Sequence, residues 1–225
     1  VPARSDTAAP AAARASATDP RAINAALPFP MWVCPVSTLL ELATAGCSGT
    51  PLPTHDAMKE AGKIVPWEPG MNTIFFSHTW LGYGHPDPNG DKCRLIKGLL
   101  EGILNGTTKV TGYWMATVIF QEWGIKAKQL KKDYGTGNGY VWLDYLSIPQ
   151  LDKTNQIKAI ESITGYVAIT DLFIVLAGPW THADDGSIRD VRAWGERGWC
   201  RMENLAMSLS PQQKTFIVAQ SPTNV

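Results

Sequence analysis

Short apolar runs alternate along this chain with stretches in which apolar residues return every three or four positions. Thr73-Ile74-Phe75-Phe76-Ser77 is β-branched and aromatic, which suits a buried strand. A loop rich in Gly and Pro follows from Trp80 to Gly90. Leu95, Ile96, Leu99, Leu100, Ile103 and Leu104 then recur at helical spacing until Asn105-Gly106 supplies a stop. Tyr140 to Tyr145 predicts a second strand, and the polar loop Ser147 to Asn155 leads into a helix with Ile157, Ile160, Ile163 and Val167 on one side. Leu172 to Leu176 is a wholly apolar third strand, Gly178 to Gly195 a loop, Arg197 to Leu209 a helix and Thr215 to Ala219 a fourth strand. Strands apolar on both faces belong to parallel sheets, and their alternation with helices predicts a doubly wound, mostly parallel α/β fold.

Before this core the pattern changes. Pro28, Pro30, Pro35, Pro51, Pro53, Pro66 and Pro69 interrupt all but short helices, of which Val36 to Ala45 and His55 to Ala61 are the candidates. Residues 31–71 therefore read as a Pro-rich arm wrapping the core. Residues 1–30 read as a low-complexity extension rich in Ala and Pro, and residues 72–225 as the α/β domain with an insertion at about 107–139. That insertion holds a mixed helical stretch with Trp114, Phe120, Trp123 and Ile125. A basic tail follows with Lys126, Lys128, Lys131 and Lys132, read as a solvated helix face.

Twenty basic residues balance twenty acidic ones, so no global field favours a polyanion and nucleic acid is a poor partner. Cys34, Cys47, Cys93 and Cys200 lack Cys-x-x-Cys spacing in a chain too long to need disulfide stapling, which favours a reducing compartment. No apolar run reaches the roughly 20 residues of a spanning helix, so an integral membrane protein is not expected. The opening stretch carries Arg4, Arg14 and Arg21 but no Lys among Ala, Ser and Thr, a composition like the remains of an organellar transit region. A plastid is the compartment this suggests; the cytoplasm is the alternative. So polar a segment buries too little surface to order alone, and docking on a partner is the expected remedy.

Three motifs in order resemble those of Toll/interleukin-1-receptor-like (TIR-like) domains of the dinoflagellate and protist type. They are Phe75-Phe76-Ser77-His78-Thr79-Trp80, Trp142-Leu143-Asp144-Tyr145 through Pro149-Gln150, and Arg197-Gly198-Trp199-Cys200-Arg201-Met202-Glu203. The resemblance spans about residues 72–220 and implies a flavodoxin-like, TIR-like sheet. A fifth strand and a last helix have no counterpart here, so the fold is expected to be incomplete at the C-terminus. In TIR domains that cleave NAD, the glutamate of the Trp-Cys-x-x-Glu motif is catalytic, which makes Glu203 the candidate by resemblance.

Chemistry supports that candidate independently. Cleavage between ribose and nicotinamide develops oxocarbenium character, which a nearby carboxylate stabilises or captures. At 100° per residue Trp199, Met202, Ala206 and Leu209 form an apolar stripe, and Glu203 sits at its edge. The ordinary alternative is a helix-flank glutamate paired with Arg201 or Arg197. Open α/β sheets bind ligands beyond their strand ends, so Ser77, His78, Trp80, Asp144 and Tyr145 are candidate NAD-contacting residues. Trp80 could stack on a ring or simply be buried, and His78 is more readily a structural hydrogen-bonded residue than an acid or base. His85, Asp87, Asn89 and Asp91 break the calcium-loop register, and no metal is expected there. Cys200 reads as a packing residue.

Two functions remain open at this point. The first is a TIR-like protein-interaction module, a docked subunit of a larger complex, touching other chains through the N-terminal arm and the loop Leu146 to Asn155. The alternative is an NAD glycohydrolase with Glu203 as its carboxylate, NAD being substrate and no cofactor being required.

Overall fold

A computed structural model describes residues 19–108, 127–210 and 215–221. The opening extension before Asp19 and the stretch with Trp114, Phe120, Trp123, Ile125 and Lys126 lie outside the described residues.

The architecture is mixed α/β around one six-stranded, mostly parallel sheet. Its strands are β1 (Trp32–Pro35), β2 (Val65–Pro66), β3 (Asn72–His78), β4 (Gly139–Leu143), β5 (Leu172–Leu176) and β8 (Thr215–Ala219), in the order β2-β1-β4-β3-β5-β8. β4, β3, β5 and β8 run parallel, whereas β1 is antiparallel to both β4 and β2. A small hairpin of β6 (Trp180–Thr181) and β7 (Ile188–Arg189) stands apart. The helices are α1 (Pro20–Ala26), α2 (Val36–Cys47), α3 (His55–Glu60), α4 (Asp91–Asn105), α5 (Ala127–Tyr134), α6 (Asp144–Ser147), α7 (Lys153–Glu161), α8 (Ile163–Ile169), α9 (Val191–Glu196) and α10 (Gly198–Leu209). Among the described residues no helix is long and apolar enough to cross a membrane.

Alternation along the strands divides the core in two. Ile74, Phe76, Val141, Leu143, Leu172, Ile174 and Ile217 face a cluster with Leu39, Leu95, Leu99 and Leu130 from α2, α4 and α5. Phe75, Trp142, Phe173 and Val175 face the opposite cluster, filled by Ile163, Tyr166, Val167, Trp194 and Cys200. A sheet covered on both faces explains why the central strands read as unbroken apolar runs. On the second face an aromatic ladder crosses four strands: Trp142 stacks on Phe75 at 4.3 Å, Phe75 on Phe173 at 5.2 Å and Phe173 on Phe216 at 5.9 Å. Each of these pairs is also a register pair of the sheet.

Residues 31–71 differ from a simple wrapping arm. β1 covers the free edge of β4, pairing Cys34 with Val141, and β2 extends the sheet by one more strand. The two helices expected in this region form as α2 and α3, and Thr54 caps α3 through the Ala57 amide. Further upstream, Phe29 donates its amide to Ser162 Oγ and its carbonyl accepts from the Tyr166 hydroxyl. Leu27 lies so close to Gly165 that a Cβ there would overlap its side chain. From Pro20 onward this segment thus packs on its own domain.

Two elements end elsewhere than the pattern implies. The second strand stops at Leu143, because Asp144 turns away to accept hydrogen bonds and α6 begins. The helix carrying Ile157, Ile160, Ile163 and Val167 breaks at Ser162, whose hydroxyl bonds back to the Lys158 carbonyl and meets the arm. Ile157 is consequently exposed while Ile163 and Val167 are buried. The basic tail forms α5, which buries Leu130 and Tyr134 and leaves Lys128, Lys131 and Lys132 outside the core.

Phe75 lies fully buried between two ladder partners, whereas Phe216 on the edge strand is 39% exposed. Phe75→Ala should lower unfolding free energy by about 3–5 kcal/mol. Phe216→Ala should cost no more than about 2 kcal/mol. Urea denaturation of the two variants against the parent checks both.

Candidate functional site

The parallel strands deliver their C-terminal ends to one place. β3 ends in Ser77 and His78, β4 is followed directly by Asp144, and α10 crosses this end of the sheet. Between them lies a cavity of about 250 Å³ lined by His78, Trp80, Asp144, Arg197, Trp199 and Glu203. Ile148, Gln150, Gln156, Ile160, Ile163 and Cys200 complete the wall.

Glu203 is 8% exposed although it is a carboxylate. Helix α10 starts as the chain turns out of α9 at Arg197, and its buried positions are Cys200 and Glu203, with Met202, Ala206 and Met207 partly buried beside them. The apolar stripe expected through Trp199 and Leu209 is therefore rotated. Those two side chains are 51% and 74% exposed, and Glu203 occupies the middle of the buried face rather than its edge. The cause is tertiary: Ser77, at the end of β3, donates to Glu203 Oε2 at 2.5 Å. Glu203 does not take Arg197 or Arg201 as its hydrogen-bond partner.

Burial pushes the Glu203 carboxyl up to about 8; the Ser77 hydrogen bond opposes this, the Asp144 charge adds to it and Arg197 opposes it. Asp144 goes the other way. Burial alone would raise it, but His78, with its charge and hydrogen bond, and then the Trp80 indole and the Tyr145 amide hold it below the usual carboxylate range. His78 Nε2 lies 2.9 Å from Oδ1, Trp80 Nε1 donates to Oδ2 at 2.7 Å and the Tyr145 amide donates to Oδ1 at 2.6 Å. Two carboxyl groups on one cavity thus differ in charge near neutrality, one protonated and one ionised.

Of the residues singled out by sequence, His78, Trp80, Asp144 and Glu203 line the cavity together. Ser77 stands behind Glu203 as its hydrogen-bond donor. Tyr145 is set back from the lining, its ring edge-on to Trp80 at 5.7 Å and to His85 at 5.0 Å. Buried His78 has one ring nitrogen on Asp144, and its Nδ1 has no partner among the described residues. Cys200 is buried, with its thiol pushed up to about 12 by burial. The polar loop of His85 and Asp87 is structural: Asp87 accepts from the Lys92 and Cys93 amides at the start of α4, and His85 meets the Leu52 carbonyl.

Arg197, Gln150, Gln156 and Trp194 belong to the site or its support without having been assigned to it from sequence. Gln150 and Arg197 fall inside the quoted motifs, which carry no geometry. Trp194 lies in what reads as a loop, but Asp190 caps a helix there through the Ala193 amide. An Asp at the head of Val191-Arg192-Ala193 was the available signal.

Because the folded pKa of Glu203, about 8, exceeds its ordinary 4.5, the folded state retains a proton that the unfolded chain releases. Native stability from this group is full below about 4.5 and is lost as pH rises through about 8. Glu203→Gln keeps the shape without the titration. It should melt roughly 5 °C or more above the parent at pH 8.5, with the gap closing toward pH 5, when thermal unfolding is followed at both pH values. Comparison of the chain with protein-family models, with curated proteins and with solved structures returned no match.

Proposed function

We propose that the cavity cleaves an N-ribosyl bond, with NAD as substrate and Glu203 as the reacting carboxylate. The observation that carries this reading is a buried glutamate in the cavity wall, held by a serine 126 positions away at the end of a parallel strand. The order of the four parallel strands, second-first-third-fourth, agrees with the start of a flavodoxin-like sheet and supports the TIR-like resemblance.

The chemistry follows from charge. NAD carries a pyridinium, and a cation beside a buried carboxyl favours its ionised form. Substrate binding therefore adds to the positive charge that Arg197 brings to the cavity wall. Cleavage breaks the bond between ribose C1′ and the ring nitrogen, and the electron pair leaves with nicotinamide as a neutral molecule. Glu203 stabilises or captures the oxocarbenium centre. Water then adds at C1′, displacing the Glu203 carboxylate where it has bonded there, and releases a proton, giving ADP-ribose. Asp144 holds the Trp80 indole and the His78 ring in place, and Trp80 and Trp199 offer aromatic surface to the heterocycle.

Incubation of the purified chain with NAD should yield nicotinamide and ADP-ribose, measured by chromatography. Glu203→Ala and Glu203→Gln should both lose at least about 100-fold in rate while circular dichroism stays unchanged. Since the ionised carboxylate is the active form, parental kcat/KM should rise with pH and level off above about 8. Folded parent that releases no nicotinamide anywhere between pH 6 and 9 would sink the proposal.

The assembly reading keeps two favourable observations, on α10 and at Leu151. On α10, Trp199, Leu205 and Leu209 are 51%, 59% and 74% exposed, an apolar outer surface. The arm, in contrast, is engaged with its own sheet. In the loop from Leu146 to Asn155, Leu146 and Ile148 are buried and the Gln150 and Leu151 amides donate to Asp56, while the Leu151 side chain is 81% exposed. If α10 mediates association, the double substitution Leu205→Asp, Leu209→Asp converts an oligomer into a monomer in sedimentation velocity. A parent that already sediments as a monomer would remove this reading.

A further inference from the structure

The hydrogen bonds behind Glu203 have one arrangement that leaves no hydrogen of Ser77 or Trp194 without an acceptor. Trp194 Nε1 lies 2.8 Å from Ser77 Oγ, and an indole N–H can only donate, so the Ser77 oxygen accepts there. The second lone pair of Ser77 is open to a carboxyl proton as well, but among the described residues Glu203 Oε2 is the acceptor within reach of the one hydrogen that Ser77 carries, so donation from Ser77 satisfies both groups. Oε2 thus receives a hydrogen, and when Glu203 is neutral its own proton belongs on Oε1. No described residue hydrogen-bonds Oε1, and Glu203 lines the cavity. All three side chains are buried: Trp194 at 6%, Ser77 at 1% and Glu203 at 8% exposure.

We propose that Trp194 and Ser77 form a fixed hydrogen-bond relay that positions Glu203, keeping Oε2 as a permanent acceptor and presenting Oε1 as the oxygen that meets a ligand in the cavity. This rests on Glu203 being the reacting carboxylate, but the relay itself is measurable without turnover. It joins β3, which supplies the hydroxyl, to two consecutive helices 117 and 126 positions further on: α9 supplies the indole and α10 the carboxyl. Orientation follows from the donor count. A carboxyl free to rotate would present either oxygen, whereas one anchored at Oε2 presents the same face in both protonation states. Ser77 also stabilises the ionised form, because it donates to the carboxylate in a site that otherwise disfavours charge. Ser77 and Trp194 are positioning residues in this scheme, and neither lines the cavity.

The test is an NMR titration of the Glu203 carboxyl carbon in ¹³C-labelled protein, assigned by its absence in Glu203→Gln. The parent should titrate near pH 8. Ser77→Ala should move the midpoint alkaline by about one pH unit or more, since a hydrogen bond to the charged form is lost. Ser77→Thr retains the hydroxyl and should restore the parental midpoint. Trp194→Phe keeps the ring but not the donor, and should shift the midpoint in the same direction by less. An unchanged or acid-shifted midpoint in Ser77→Ala overturns the relay. Should that variant fail to fold, an unchanged midpoint in Trp194→Phe does so instead. Where the parent cleaves NAD, the Ser77→Ala pH–rate profile should move with the titration, leaving about tenfold less kcat/KM at pH 7. If the parent leaves NAD intact, the cleavage proposal fails by itself, while the titration still decides the relay.

Discussion

The aromatic ladder across the second face of the sheet is the constraint on which the rest of this structure depends. Trp142, Phe75, Phe173 and Phe216 lie opposite one another in register on β4, β3, β5 and β8. A shift of one residue in any strand would send its aromatic ring to the other face and leave a gap in the stack. Because the register is set there, Ser77, two positions after Phe75 on the same face, must emerge beneath α10. His78 and Asp144 must likewise leave the ends of adjacent strands side by side. Packing in the middle of the sheet thus decides the geometry at its end.

At that end the fold tolerates a group that opposes stability. A carboxyl buried in the middle of a helix face could have been replaced by an apolar residue with a gain in stability near neutral pH. Instead it is solvated by one serine, itself held by an indole, and faces a cavity with an ionised aspartate on its wall. Opposite shifts in two neighbouring carboxyls give one cavity wall two groups of different charge. The two shifts also have different origins. Glu203 is governed by desolvation, while Asp144 is governed by donors that outweigh its desolvation.

The N-terminal segment illustrates how local chemistry and tertiary demand combine. Its prolines limit the helices of residues 31–71 to α2 and α3, and Pro35 and Pro66 sit at the ends of β1 and β2 rather than in a central strand, as the missing N–H requires. Covering the β4 edge then removes an unpaired row of backbone groups from solvent. Phe29, Met31 and Val33 pack into the same apolar cluster as the aromatic ladder, which uses the segment's own apolar surface within this chain. What reads as an arm wrapping the core becomes the flank of the sheet.

Local pattern by itself determined much of this protein. The four parallel strands, α4 and the extent of α10 follow from β-branched and apolar runs, helical spacing and the Asn105-Gly106 stop, all of which act within a few residues. The gathering of Ser77, His78, Trp80, Asp144 and Glu203 at the strand ends was legible as well, because a parallel sheet brings successive strand ends to one side. Tertiary structure alone decided the remainder. It rotated α10 so that Glu203 rather than Trp199 is buried, broke the helix at Ser162 where the arm docks, and moved Tyr145 back from the cavity. It also brought in Trp194 from a helix that the pattern does not reveal. The physical reason is range: spacing reports which face of an element is apolar, but whether a polar group can be buried there depends on a donor more than a hundred residues away.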